Sequence, residues 1–132
     1  MYRTPMITLY TDDLPRLSSF YEGLDFHVTF RTPSHGDPVH VELTLDRFTI
    51  GISTVTAARE DHGLDPQLGG RPVEIVLYCD DVDGEVARLT AGGAPLLSEP
   101  HPFQGGRTRV AWVADPDGNP VHLVQVTADK HL

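Results

Sequence analysis

Residues 6–26 read MITLYTDDLPRLSSFYEGLDF, and residues 74–94 read EIVLYCDDVDGEVARLTAGGA. Each opens on an alternating strand pattern, reaches a tyrosine, passes through Asp-Asp and an apolar residue, and continues as a helix. Tyr10 matches Tyr78, Asp12 and Asp13 match Asp80 and Asp81, and Leu14 matches Val82, every pair 68 residues apart. That offset is more than half of the 132-residue chain. A shared strand and helix at one fixed offset marks the sequence as two copies of one unit.

The local chemistry supports the same reading in both copies. Ile7, Leu9 and Thr11 alternate with Met6, Thr8 and Tyr10, as residues on the two faces of a strand do. In the first copy Asp12 or Asp13 can cap the helix that follows, and Pro15 suits its first turn. Leu17, Phe20, Tyr21 and Leu24 form one apolar stripe, and Val82, Val86 and Leu89 form its counterpart. Three further strands follow each helix: Phe26–Phe30, Val39–Leu45 and Phe48–Thr54 in the first copy, and Pro95–Ser98, Thr108–Ala114 and Pro120–Val126 in the second. Asp115-Pro116-Asp117-Gly118-Asn119 carries strong turn chemistry between the last two. The expected fold class is α+β, with two βαβββ modules over about 5–54 and 72–126 in one domain. Their mixed sheets curve around a cleft. Residues 55–71, rich in Pro and Gly, are expected to connect them as a loop with at most one helical turn.

Composition narrows the function. Asp and Glu number 19 against 10 Lys and Arg, a net charge of −9. Nucleic acid and anionic membrane surfaces are poor partners for such a chain. A single cysteine, Cys79, excludes an internal disulfide framework and a cysteine metal cluster. Alternation puts Cys79 on the helix-packed face as an inert core thiol. No apolar run is long enough to span a bilayer, and the opening MYRTPMITLY lacks the apolar stretch of a secretory signal, so a cytoplasmic protein is expected.

The repeated βαβββ unit, Asp13-Leu14 followed by Phe20-Tyr21, and the DPDGN turn before a final strand resemble the vicinal oxygen chelate superfamily over residues 5–126. That superfamily includes glyoxalase I, extradiol dioxygenases, fosfomycin-resistance enzymes and bleomycin-binding proteins. The resemblance implies metal ligands on the first and last strands of each unit. The matching positions are Met6, Gly51 (or Ser53, if the alignment slips by two), Glu74 and His122. Only Glu74 and His122 suit the metals in question, where about three protein ligands are usual. A site completed across a dimer, or the loop histidines His35, His40 or His101, would be the source of a further ligand, although none of the three has ligand spacing on a regular element. The departure resembles the metal-free branch that binds toxic natural products, closest to the mitomycin-binding type. It implies no metal, no cofactor, and a homodimer with clefts at the subunit interface, with or without exchanged elements.

The leading expectation is therefore a metal-independent protein that sequesters a hydrophobic, aromatic small molecule of antibiotic type. Its candidate ligand-binding residues are Met6, Tyr10, Gly51, Ser53, Glu74, Tyr78, Phe103, Trp112 and His122. Gly51 and Ser53 would leave room for a large flat guest, whereas Phe48, Ile50 and Ile52 face the core. Tyr10 and Tyr78 share the face of Met6 and Glu74. They suit a planar ligand, or plug the sheet ends. Trp112 packs in the core or stacks on the guest. Phe103, in the loop 101–106, suggests a lid. The strand pairing that the resemblance implies would bring Glu74 and His122 face to face on neighbouring strands, either as a satisfied polar pair or as a pair that moves a proton. The proton-moving role gives the alternative function, a metal-free or metal-poor lyase or isomerase with Glu74 and His122 as its acid–base pair. A metal-dependent glyoxalase- or dioxygenase-like enzyme is the second alternative.

Overall fold

The computed structural model describes residues 1, 3–69 and 73–127. The chain divides into two compact units, Met1–Leu68 and Gly69–Leu132. Among the described residues no helix is long and apolar enough to cross a membrane.

The first unit runs β1 (Ile7–Thr11), α1 (Leu14–Glu22), β2 (His27–Thr32), β3 (His40–Leu45), β4 (Phe48–Thr54) and α2 (Val55–His62). Its sheet order is β1-β4-β3-β2. The β1–β4 pair is parallel and the others are antiparallel, so the sheet is mixed. The Asp13 side chain accepts from the Arg16 amide at 3.3 Å and starts α1. Leu14, Leu17 and Tyr21 bury the helix against Leu9, Leu43, Ile50 and Ile52 of the sheet. Tyr21 meets Phe20 and Phe26 edge-on, with ring centroids 5.2 and 5.7 Å away. Phe48 departs from the expected core alternation. It sits at the hairpin end of β4, opposite Leu45, and is exposed.

The segment expected to be a loop opens with a two-turn helix, α2. The Thr54 hydroxyl accepts from the Ala57 amide, Val55 and Ala58 are buried one turn apart, and Gly63 ends the helix in the left-handed conformation. The Pro and Gly residues of this stretch all lie at 63 and beyond. They terminate the helix rather than prevent it.

The second unit repeats the plan: β5 (Ile75–Tyr78), α3 (Val82–Ala91), β6 (Leu96–Phe103), β7 (Thr108–Ala114) and β8 (Pro120–Val126), in the order β5-β8-β7-β6. Two βαβββ modules with mixed sheets are thus observed. Asp81 caps α3 by accepting from the Gly84 amide at 3.1 Å, and Val82, Val86 and Leu89 are buried as the stripe requires. Asp115 is 1% exposed and organises the DPDGN turn. Its Oδ1 accepts from the amides of Asp117 and Asn119, and its Oδ2 from the Asn119 side chain.

Strand β6 runs five residues beyond the expected Ser98, through Pro100 and Pro102. It is an edge strand, and its register shifts between Leu96 and Ser98 and again between Ser98 and His101. Edges and bulges are where a sheet accepts proline.

Candidate functional site

In the second unit Val76 pairs with His122 across the parallel β5–β8 ladder, and His122 pairs with Trp112 across β8–β7. Glu74, two residues before Val76, presents its side chain to the same face. The three expected residues are thereby brought together. His122 Nδ1 lies 3.2 Å from Glu74 Oε2, and the Trp112 indole N–H donates to Glu74 Oε1 at 3.1 Å. The Trp112 and His122 rings stack at 3.9 Å with 13° between their planes, and His101 stacks on Trp112 at 6.3 Å. The Glu74 side chain keeps 40% of its surface exposed, whereas that of His122 keeps 16%. His122 Nε2 is buried and has no hydrogen-bonding partner among the described residues. Glu74 is therefore the solvent-facing group of the cluster, and His122 and Trp112 fix its two oxygens. A carboxylate has about four lone-pair positions, so both oxygens can still accept from a ligand.

The first unit carries a second polar cluster, built around a histidine first read as a loop residue. His40 opens β3, opposite Ser53 on β4, and Glu42 is opposite Gly51. His40 Nδ1 is 2.6 Å from Ser53 Oγ, and His40 Nε2 is 3.0 Å from Glu42 Oε2. His101 is likewise a strand residue, on β6. Glu42 was not among the expected site residues, and His40 was named only as a loop histidine. Alternation over His40-Val41-Glu42-Leu43, with the apolar pair buried, was the signal that would have found them.

Gly51 does not open a space for a guest. A methyl group built at Gly51 would lie 2.8 Å from Met6 Cε, 2.8 Å from Thr8 Oγ1 and 3.1 Å from His40 Cε1. Those three side chains already fill the place. The register also decides between the two alignments. Thr8 pairs with Gly51 as Val76 pairs with His122, and Thr8 and Val76 are one repeat apart, so Gly51 and not Ser53 is the counterpart of His122.

The remaining candidates lie apart from the Glu74 cluster. Tyr10 and Ser53 line a pocket of about 490 Å³ together with Thr8, His40 and α2. Tyr78 is 72% exposed and borders a smaller hollow of about 290 Å³ beside Cys79 and Gln125. Cys79 just follows β5 and is only half-buried, not a core residue. Burial still pushes its thiol pKa up, so the thiolate is disfavoured. Phe103 is the last residue of β6, paired with Thr108, and not a loop-tip lid. Arg109 faces outward and forms a two-point ion pair with Asp83, at 2.6 and 2.9 Å.

The metal ligation implied by the resemblance can be tested on these donors. Among the described residues no group of three or more His, Cys, Asp or Glu is placed to hold an ion. Glu74 and His122 Nδ1 face each other, and both His40 nitrogens are taken by Ser53 and Glu42. Within either unit the donors do not fit a three-ligand metal.

Residues 3–123 match the family described as the Glyoxalase/Bleomycin resistance protein/Dioxygenase superfamily. A Vibrio cholerae protein named probable lactoylglutathione lyase is 34% identical over 61 residues, 46% of this chain and 44% of that protein. A Synechocystis protein of the same name is 32% identical over 63 residues, 48% of each. The chain thus matches less than half the length of these relatives. A crystal structure of a glyoxalase-related enzyme from Fulvimarina pelagi superimposes with a TM-score of 0.76 at 24% identity, covering 95% of this chain and 88% of that one, a likeness of fold. The relatives are named as lyases, which corrects the expectation of a metal-independent protein that only sequesters an aromatic guest. The site agrees with the correction. The Trp112 indole, expected either in the core or against the guest, stacks with two histidines, and the room at Gly51 is filled.

Proposed function

From the premise that this chain belongs to the glyoxalase/bleomycin resistance protein/dioxygenase superfamily, we propose that its second unit is an acid–base site for a lyase or isomerase. The substrate class is a small acyl compound with a hydrogen on the carbon next to its carbonyl. Glu74 takes that proton and returns it to the neighbouring carbon. His122 and Trp112 hold the carboxylate in place. The carrying observation is the Glu74 carboxylate, half-exposed yet fixed through both oxygens by a partly buried histidine and an indole N–H. Such orientation supplies what general acid–base catalysis needs, a proton acceptor within hydrogen-bond reach whose geometry is set in advance. His122 Nε2 is enclosed, so His122 acts on the substrate through Glu74 rather than by touching it.

The lactoyl thioester in the relatives' name is a compound of this class and is the first to assay. Formation of that thioester by the purified protein from the thiol adduct of a 2-oxoaldehyde, with the thiol retained in the product, supports the reading. A protein that converts neither this adduct nor those of other small 2-oxoaldehydes into thioesters sinks it. The same proposal includes a cytoplasmic homodimer, for which the molar mass in solution is the check.

A further inference from the structure

We infer that Ser53, His40 and Glu42 of the first unit form a nucleophilic relay, with Ser53 Oγ as an acyl-accepting group for small esters. This site lies on a different unit from the Glu74 cluster and does not depend on the role given to it. An ionised carboxylate can only accept, so Glu42 requires the proton of the imidazole to be on Nε2, 3.0 Å away. Nδ1 is then the bare nitrogen, and the Ser53 hydroxyl 2.6 Å away donates to it. Nucleophile, base and orienting carboxylate stand in sequence, each within hydrogen-bond reach of the next.

Three features of the fold hold the relay in place. His40 and Ser53 are directly paired across β3–β4, and Glu42 is two residues along the same strand face. All three side chains are partly buried, which limits competition from water. Gly51 supplies the space: its missing side chain lets the His40 ring lie close over β4. Ser53 also opens onto the pocket of about 490 Å³, in which Thr8, Tyr10 and Thr32 provide hydroxyl groups to hold an acyl oxygen. That volume suits a small ester.

In the step itself the Ser53 hydroxyl proton passes to His40 Nδ1 as Oγ bonds to the ester carbonyl carbon. The carbon–oxygen bond to the alcohol breaks, and the alcohol leaves with the proton from His40. Water, deprotonated by His40, then attacks the acyl carbon; the bond to Oγ breaks, the acid is released, and His40 returns the proton to Oγ to restore the serine. Nothing is oxidised or reduced.

The test uses the full chain with two probes, a fluorophosphonate and p-nitrophenyl acetate. The expected result is a covalent adduct mapped by peptide mass analysis to Ser53, and a burst of p-nitrophenol. S53A, melting at the same temperature as the parent, loses both. H40Q slows labelling by about 100-fold, in keeping with loss of a general base. Glu42→Ala also slows it, and Glu42→Asp restores part of the rate, as expected of a residue that positions the imidazole. Mapping on the unaltered chain needs no variant. An unlabelled folded protein, an adduct on another residue, or S53A labelled at the parent rate each overturns the assignment.

Discussion

Gly51 and His122 occupy the same position of the repeated unit. Each is the partner, on the last strand of its module, of a residue on the first strand: Thr8 for Gly51 and Val76 for His122. One copy carries an imidazole there, and the other carries no side chain. The two units have consequently diverged in chemistry on a common frame. In the second, the imidazole backs Glu74. In the first, the empty place is filled by Met6, Thr8 and the His40 ring, which reaches in from β3.

That relationship makes Gly51 sensitive to the smallest possible enlargement. Gly51→Ala must displace Met6, Thr8 and His40 together. The expected loss is about 1–3 kcal/mol, typical of overpacking. Chemical denaturation checks it, and an unchanged midpoint and slope would mean that the three side chains move aside freely.

Trp112 is the only tryptophan, so its fluorescence reports on the Glu74 cluster. The His122 ring covers the indole at 3.9 Å. H122A uncovers that face to water, and emission is expected to move to longer wavelength in a protein that remains folded by circular dichroism. Emission identical to the parent would argue against the stack.

Asp115→Ala removes the acceptor for two backbone amides and one side-chain amide in a buried turn. Hydrogen bonds to a charged group are worth about 1.5–3 kcal/mol each, and an unmet buried donor adds to the cost. A large drop in melting temperature is expected, and Asp115→Asn should recover only part of it.

The Arg109 guanidinium hydrogen-bonds to Asp83 and holds its carboxyl pKa below the usual carboxylate range. A carboxyl with a lowered folded-state pKa contributes stability above its unfolded value and loses it as pH falls through the folded value. The stability gap between the protein and Arg109→Gln is therefore expected at neutral pH, to shrink in acid, and to narrow in high salt. The pair is exposed, so the gap is small. Urea melts at several pH values measure it, and a gap that widens in acid would contradict the assignment.

Much of the fold was legible in the sequence because it rests on local signals. The aspartate cap of α1, the Leu17–Leu24 and Val82–Leu89 stripes and the Asp115 turn are each set by residues within one or two turns of chain. Strands β4, β7 and β8 begin and end where alternation and turn residues put them. The misses have equally specific causes. Helix α2 was hidden because the Pro and Gly residues that follow it coloured the whole connector. The length of β6 was hidden by two prolines that only an edge strand tolerates. At the candidate sites, the nearness of Glu74 to His122 followed from the strand pairing that the family resemblance implies. The place of Trp112 against both, and the relay through His40, depend on side-chain packing across β7–β8 and β3–β4. A single sequence read along its length does not display that packing.

The central claim is that the Glu74 carboxylate moves the substrate proton. Its most direct test is deuterium incorporation from heavy water into the carbon next to the carbonyl of the lactoyl thioester, for the protein and for E74Q. Glutamine keeps the size of the side chain and an oxygen for the Trp112 N–H, so folding is preserved. The account predicts incorporation by the parent and a fall of about 100-fold or more in E74Q, the usual weight of a general base. Equal incorporation by a folded E74Q would contradict it.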